Sequence, residues 1–205
     1  GLSGSVNDVI TYLGELYAAT SYGLFVRDKS GDHFNSTELS NIVWKLDVFQ
    51  GKLVMATDKG AFAFDGKQLK KLVDGKMRTL FTSATEKLLI GSDQGLLLFD
   101  KNFKLEHKFE EIAGEIIGIS EEKSKTGAVN YWASSLGTLT SIVADGSNIY
   151  KVKLYDVSNG LPKDWMYPCN VNGQLLIATN YGLFKYAEEK NGDVIFAPTE
   201  LYNTK

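Results

Sequence analysis

One short phrase recurs five times along this chain, and repetition at that spacing limits the fold before any single residue is weighed. Each copy is a hydrophobic triplet, a small residue, Thr or Ser, two turn residues and Gly. Clean copies are Leu16-Tyr17-Ala18-Ala19-Thr20-Ser21-Tyr22-Gly23, Leu53-Val54-Met55-Ala56-Thr57-Asp58-Lys59-Gly60 and Leu88-Leu89-Ile90-Gly91-Ser92-Asp93-Gln94-Gly95. Asn130-Tyr131-Trp132-Ala133-Ser134-Ser135-Leu136-Gly137 is degenerate, and Leu175-Leu176-Ile177-Ala178-Thr179-Asn180-Tyr181-Gly182 closes the series. The closing glycines are 37, 35, 42 and 45 residues apart, the period of a four-stranded propeller blade.

Three consecutive apolar residues exclude a half-solvated strand, because side chains alternate between faces and both faces must then be covered. The inner strands of a propeller blade meet that demand, since each blade is flanked by its neighbours. Small residues at Ala19, Ala56, Gly91, Ala133 and Ala178 let adjacent sheets approach closely. The four residues that follow read as a hairpin: a three-residue loop with a left-handed Gly, opened by an Asp, Asn or Ser that caps its own turn. A second apolar strand runs on from each glycine, as in Ala61-Phe62-Ala63-Phe64, and ends in a turn signal such as Asp28-Lys29-Ser30-Gly31, Asp65-Gly66, Asp100-Lys101-Asn102 or Asn191-Gly192.

The expected fold is therefore all-β, a β-propeller of five four-stranded antiparallel blades over 1–39, 40–74, 75–110, 111–160 and 161–205. No linker separates them, so residues 1–205 read as one domain. A closed five-bladed ring is preferred because repeat proteins need their terminal faces covered; an arc of a larger propeller is the alternative, and its open ends would favour self-association. The stretch Phe109 to Ile119 has some helical spacing, but Gly114 and Ile116-Ile117-Gly118-Ile119 favour a loop and strand.

Composition removes several function classes. With 43% hydrophobic and 23% charged residues in 205, the chain is an ordinary globular protein, and no apolar run reaches membrane-spanning length. A net charge of -3 with interleaved signs gives no electropositive stripe for nucleic acid. Cys169 is the single cysteine, so no intrachain disulfide forms, and it reads as a buried apolar residue. His33 and His107 lack ligand-like spacing, so neither a metal nor a cofactor is expected. Residues Gly1-Leu2-Ser3-Gly4-Ser5 do not form a signal peptide, so either a signal was removed or the chain is a segment of something longer.

Ligands commonly enter propellers on the face that carries the turns between second and third strands, which places Tyr22, Lys59, Gln94, Leu136 and Tyr181 on one rim. Tyr22 and Tyr181 hold equivalent turn positions, and Asp164 and Trp165 lie at a blade connection. These four, Tyr22, Tyr181, Trp165 and Asp164, are the expected ligand-binding residues, the aromatic faces being suited to stacking on sugars; the competing reading is that turn aromatics simply cover the neighbouring turn. Asp8, Asp47 and Asp164 lie in or near innermost strands, where converging carboxylates would make a glycosidase, but nothing in their spacing requires it. No catalytic residue is assigned.

The phrases resemble the two-component regulator propeller repeat, Leu-Trp-Ile-Gly-Thr, two variable residues, then Gly-Leu and an aromatic. Gly160-Leu161-Pro162-Lys163-Asp164-Trp165-Met166 matches the family's repeat opening, and Gly1 to Asn7 is a weaker version. The family's tryptophan is missing, replaced by Tyr17, Val54, Leu89, Tyr131 and Leu176, with Trp132 one place later. The family usually closes seven blades. The resemblance implies a periplasmic or extracellular sensor region of a bacterial signalling protein, joined through a membrane helix to an output such as a histidine kinase, and several similar proteins detect oligosaccharides. A non-catalytic propeller that binds a small molecule, an oligosaccharide or a protein partner is thus the expected function; a protein-docking scaffold is the alternative, and a five-bladed carbohydrate enzyme a third.

Overall fold

The hydrophobic triplets form the second strand of a four-stranded sheet in every repeat of the computed structural model, which describes residues 1–123, 128–144, 149–190 and 193–199. The first sheet comprises β1 (Val6–Tyr12), β2 (Glu15–Thr20), β3 (Gly23–Arg27) and β4 (Phe34–Ser36). The second comprises β5 (Val43–Phe49), β6 (Lys52–Thr57), β7 (Gly60–Phe64) and β8 (Leu69–Val73); the third, β9 (Met77–Thr82), β10 (Leu88–Ser92), β11 (Gly95–Phe99) and β12 (Leu105–Phe109). The fourth holds β13 (Gly118–Lys123), β14 (Val129–Ser135), β15 (Thr138–Ala144) and β16 (Tyr150–Tyr155), and the fifth β17 (Tyr167–Val171), β18 (Gln174–Thr179), β19 (Gly182–Lys190) and β20 (Asp193–Pro198). Every sheet is an antiparallel meander in chain order, the blade expected of a propeller. Residues 110–117 are loop, as the glycine in that stretch suggested, and the turn at Asn191-Gly192 lies outside the described residues. One turn of 3-10 helix over Val157–Asn159, unforeseen in the sequence, is held by a reciprocal cap between Asp156 and Asn159.

Two compact units divide the chain, Gly1–Phe109 with three sheets and Glu110–Lys205 with two. In the first unit the triplets split between faces as the period of two demands. Tyr17 and Ala19 pack with Leu53 and Met55 in one layer, and Val54 and Ala56 pack with Leu88 and Ile90 in the next. A single strand, β6, thereby supplies both layers, and Leu53, Val54, Met55 and Ala56 are all essentially buried. In the second unit Trp132, Leu139 and Tyr155 meet Leu175, Ile177, Phe184 and Phe196 in a comparable layer.

Tyr17 carries a polar atom into the first of these layers. Burial, reinforced by its hydroxyl donating to Glu15 Oε2 at 3.2 Å, pushes its pKa up from 10.0 to about 12. A raised folded-state pKa stabilises fully below the unfolded value, and that contribution is lost as pH climbs through the folded one. The wild type should lose roughly 2 kcal/mol more than Tyr17→Phe between pH 10 and 12, read from denaturant unfolding at each pH.

The loops correct two expectations. Thr20 pairs with Gly23, Thr57 with Gly60, Ser92 with Gly95 and Thr179 with Gly182, so each loop holds two residues, not three. The groups that close them are the Thr and Ser hydroxyls. Thr57 Oγ1 accepts the Lys59 N–H at 3.1 Å and donates to the Gly60 carbonyl at 2.8 Å, and Thr20, Ser92 and Thr179 repeat the bracket. Self-capping aspartates stand instead at the other hairpins: Asp28 accepts the Ser30 hydroxyl foremost and then loop N–H groups, and Asp65 and Asp100 accept loop N–H groups, which holds their carboxyls below the usual range.

The fourth repeat is also out by one residue from the sequence alignment. There Ser135 pairs with Thr138, so Ser135 stands where Thr57 does and Gly137 lies inside the loop with φ of +73°. Trp132 consequently takes the place of Tyr17, Val54, Leu89 and Leu176. The resembled family's tryptophan is therefore present in one copy, and it packs on the following sheet as Tyr17 does.

Candidate functional site

The four rim residues fall in different settings. Tyr22, in the first unit, is two-thirds exposed, and its ring lies against Gly4, where any Cβ would overlap it. In the second unit Tyr181 is 70% exposed and Trp165 37% exposed. Asp164, between them in the fold, is only 8% exposed. The reason lies in how the loops are tied down. In the first three sheets the first loop residue donates its N–H to a backbone carbonyl at the entrance to its own sheet: Ser21 to Ser5, Asp58 to Ile42 and Asp93 to Lys76. In the fifth sheet the Asp164 carboxylate replaces that carbonyl, accepting the Asn180 N–H at 2.7 Å and its Nδ2–H at 2.9 Å. Those bonds, the Asn180 backbone foremost, hold the Asp164 carboxyl below the usual range. Its depressed pKa stabilises above the ordinary carboxylate range and stops doing so as pH falls through the folded value. Asp164→Ala should therefore lower the melting temperature at neutral pH, with the gap to wild type closing in acid, as followed by circular dichroism.

The remaining candidate carboxylates are likewise engaged in holding neighbouring inner strands. Asp8 Oδ2 sits 2.9 Å from Lys45 Nζ and accepts the Leu46 N–H at 3.0 Å, tying β1 to β5. Asp47 Oδ2 accepts the Thr82 N–H at 3.2 Å, tying β5 to β9. Among the described residues no group of three or more His, Cys, Asp or Glu could hold a metal. Burial pushes the half-buried Cys169 thiol pKa up, away from reactivity.

A concave site missed by the sequence reading lies in the second unit, between the fourth and fifth sheets. It is a cleft of about 500 Å³ lined by Glu122, Asn130, Trp132, Ser141, Tyr155, Gln174 and Tyr186, with Val143, Leu175, Val194 and Phe196 among its apolar walls. The strands explain the lining: Asn130 and Trp132 share one face of β14, and Ser141 and Val143 share the facing positions of β15. Trp132, Tyr155 and Phe196 pack with ring centroids 5.5 to 6.3 Å apart, which fixes the aromatic wall. Trp132 Nε1–H donates to Glu122 Oε2 at 3.2 Å, so the carboxylate is held in place with its second oxygen available. Asn130 Oδ1 accepts the Ile142 N–H at 3.2 Å, which leaves its Nδ2 as a donor. The cleft thus joins an aromatic wall to a fixed acceptor, two amides and the Ser141 hydroxyl, with no cationic side chain among the described residues of its lining. Period-two alternation placed Asn130 and Trp132 together, but the one-residue misalignment had given Asn130 the role of a core leucine.

No family model and no curated protein matches the sequence. Solved structures do. The extracellular domain of BT4673 from B. thetaiotaomicron, assigned as a hybrid two-component system, superposes with a TM-score of 0.67 at 15% identity over 97% of this chain and 28% of that one. The Dos1 propeller gives 0.67 at 15% identity over 96% of this chain and 58% of that one. A catalytically inactive H270A virginiamycin B lyase from Staphylococcus aureus, bound to quinupristin, gives 0.68 at 10% identity over 98% and 72%. At these identities the likeness is one of fold, and the fold is the β-propeller. The likeness to a two-component extracellular domain agrees with the repeat resemblance. The chain spans about a quarter of the BT4673 domain and under two-thirds of the Dos1 propeller.

Proposed function

We propose that this chain is a ligand-sensing propeller segment from the periplasmic or extracellular part of a two-component-type signalling protein, acting by binding rather than by catalysis. The cleft between the fourth and fifth sheets carries this reading. Its aromatic wall suits the apolar face of a sugar ring, while the Glu122 carboxylate and the Asn130 and Gln174 amides suit its hydroxyls, so the ligand class is a glycan. In the second unit the exposed aromatics Trp165 and Tyr181 are a second surface for the same ligand class or for a protein partner, and Tyr22 is a separate exposed candidate in the first unit. Support for the setting comes from the BT4673 likeness, and no helix among the described residues is long and apolar enough to cross a membrane. The aspartates Asp8, Asp47 and Asp164, committed to strand and loop contacts, give no reason to invoke hydrolysis. Signalling then draws on differential ligand affinity between two arrangements of the sensor.

Calorimetric titration with a panel of soluble oligosaccharides tests this. At least one should bind, and Glu122→Gln and Tyr186→Ala should each weaken it by about tenfold, near 1.4 kcal/mol. Loss confined to Trp165→Ala and Tyr181→Ala would move the ligand to the rim. Absence of binding across the panel would remove the glycan reading.

A further inference from the structure

Charge is unevenly placed across the cleft between the fourth and fifth sheets, and strand pairing in its floor shows how. Glu122 pairs with Asn130, Asn130 with Val143 and Val143 with Lys151, so one row crosses the fourth sheet from a carboxylate on β13 to an ammonium on β16. Residues paired directly share a face, and four strands put the ends of that row about 14 Å apart. In the next row Trp132 and Ser141 lead to Lys153. Both lysines therefore stand at the outer edge of the cleft floor. Lys153 is engaged there, its Nζ 5.4 Å from the centroid of the Tyr155 ring and 3.5 Å from Asp193 Oδ1.

The inner end has the opposite character. Glu122 is the one charged side chain among the described residues of the lining, and none of them offers it a cation. Its Oε2 takes the Trp132 indole proton, which leaves Oε1 for a ligand. Ser141, 5% exposed, also lines the cleft, and its hydroxyl forms no hydrogen bond with a described residue. A fixed carboxylate beside aromatic rings, whose faces are themselves negative, is a setting for a cation. The ammonium of Lys153 on Tyr155 shows the aromatic wall accepting that chemistry at its outer end.

We infer, on the reading of this cleft as a glycan site, that its ligand carries a free amine: a 2-amino-2-deoxy sugar whose ammonium meets Glu122 Oε1 while the ring lies on the aromatic wall. A charge-assisted hydrogen bond is stronger than one from a neutral hydroxyl, so the amine outcompetes the same sugar bearing a hydroxyl. N-acetylation removes the charge, and a uronate sets a second carboxylate against Glu122. Lys151 and Lys153 fix the direction, with the amine toward β13 and away from β16.

The test titrates the whole chain by calorimetry with trisaccharides that share one linkage, the glucosamine trimer, the N-acetylglucosamine trimer and cellotriose, and with trigalacturonate as the acidic counterpart. The glucosamine trimer should bind at least tenfold tighter than cellotriose, with the margin shrinking as salt is added, and trigalacturonate should bind weakest. Glu122→Gln keeps an oxygen for the indole N–H, so its melting temperature should stay near that of the wild type. It should cost the glucosamine trimer at least tenfold more affinity than it costs cellotriose. Tyr186→Ala should weaken both, which separates the cleft from attraction to the acidic surface at large. Glucosamine binding that survives Tyr186→Ala unchanged, or tighter binding of trigalacturonate, would overturn the inference. Cleft binding of cellotriose and the N-acetylated trimer with no preference for the amine would overturn it and leave the glycan reading standing, whereas no binding by any oligosaccharide would remove both.

Discussion

Gly60→Val should cost about 3 kcal/mol or more in stability, against about 1 kcal/mol for Gly14→Ala, as measured by urea unfolding. Both glycines have positive φ, +138° at Gly60 and +82° at Gly14. They differ in surroundings. A Cβ at Gly14 meets nothing within 4 Å, whereas one at Gly60 would overlap the Val73 carbonyl oxygen where β7 leaves its loop. The oxygen belongs to backbone paired in β8 and cannot swing aside as a flexible side chain would. Gly23 is placed the same way against the Leu39 carbonyl, so the closing glycine is demanded by close backbone approach as well as by φ. Equal costs for the two substitutions would contradict the two-residue loop and the contact that explains the repeat.

Trp132→Ala should be the most damaging change in the second unit, at about 3 to 5 kcal/mol, while Trp165→Ala should stay within about 1 kcal/mol. Trp132 is 6% exposed and stands in a layer with Tyr155, Leu175, Ile177 and Phe196, so its removal opens a hole that rigid strands on both sides cannot close. It also leaves Glu122 without the indole donor. Trp165, 37% exposed, loses much less on truncation. Denaturant unfolding of both variants, with Trp132→Leu copying Leu89 and Leu176 as an intermediate case, gives the ordering; a small effect at Trp132 would contradict the corrected alignment of the fourth repeat.

Much of the architecture was legible because period-two alternation leaves little freedom. Leu53-Val54-Met55 had to face two layers, and it does. What escaped was decided at single residues. Ser134 and Ser135 both fit the phrase, and only strand pairing shows that Ser135 holds the Thr position while Ser134 Oγ donates to the Met166 carbonyl. Asp164 carries no sequence mark that its carboxylate replaces a backbone carbonyl for Asn180. The aromatics Tyr22, Trp165 and Tyr181 were readable as turn and connection residues, but a cleft depends on volume left unfilled, as at Trp132 and Tyr186, and no residue type announces that.

Three tryptophans make the central claim directly measurable, since Trp44, Trp132 and Trp165 give one indole N–H signal each in a nitrogen-15 correlation spectrum. Assigned by single substitution to phenylalanine, they report on β5 of the first unit, the cleft and the blade connection at Trp165 respectively. Titration with the bound oligosaccharide should shift the Trp132 indole signal, whose proton is held by Glu122, and leave Trp44 in place. A saturating shift at Trp165 with Trp132 unmoved would contradict ligand recognition in the cleft.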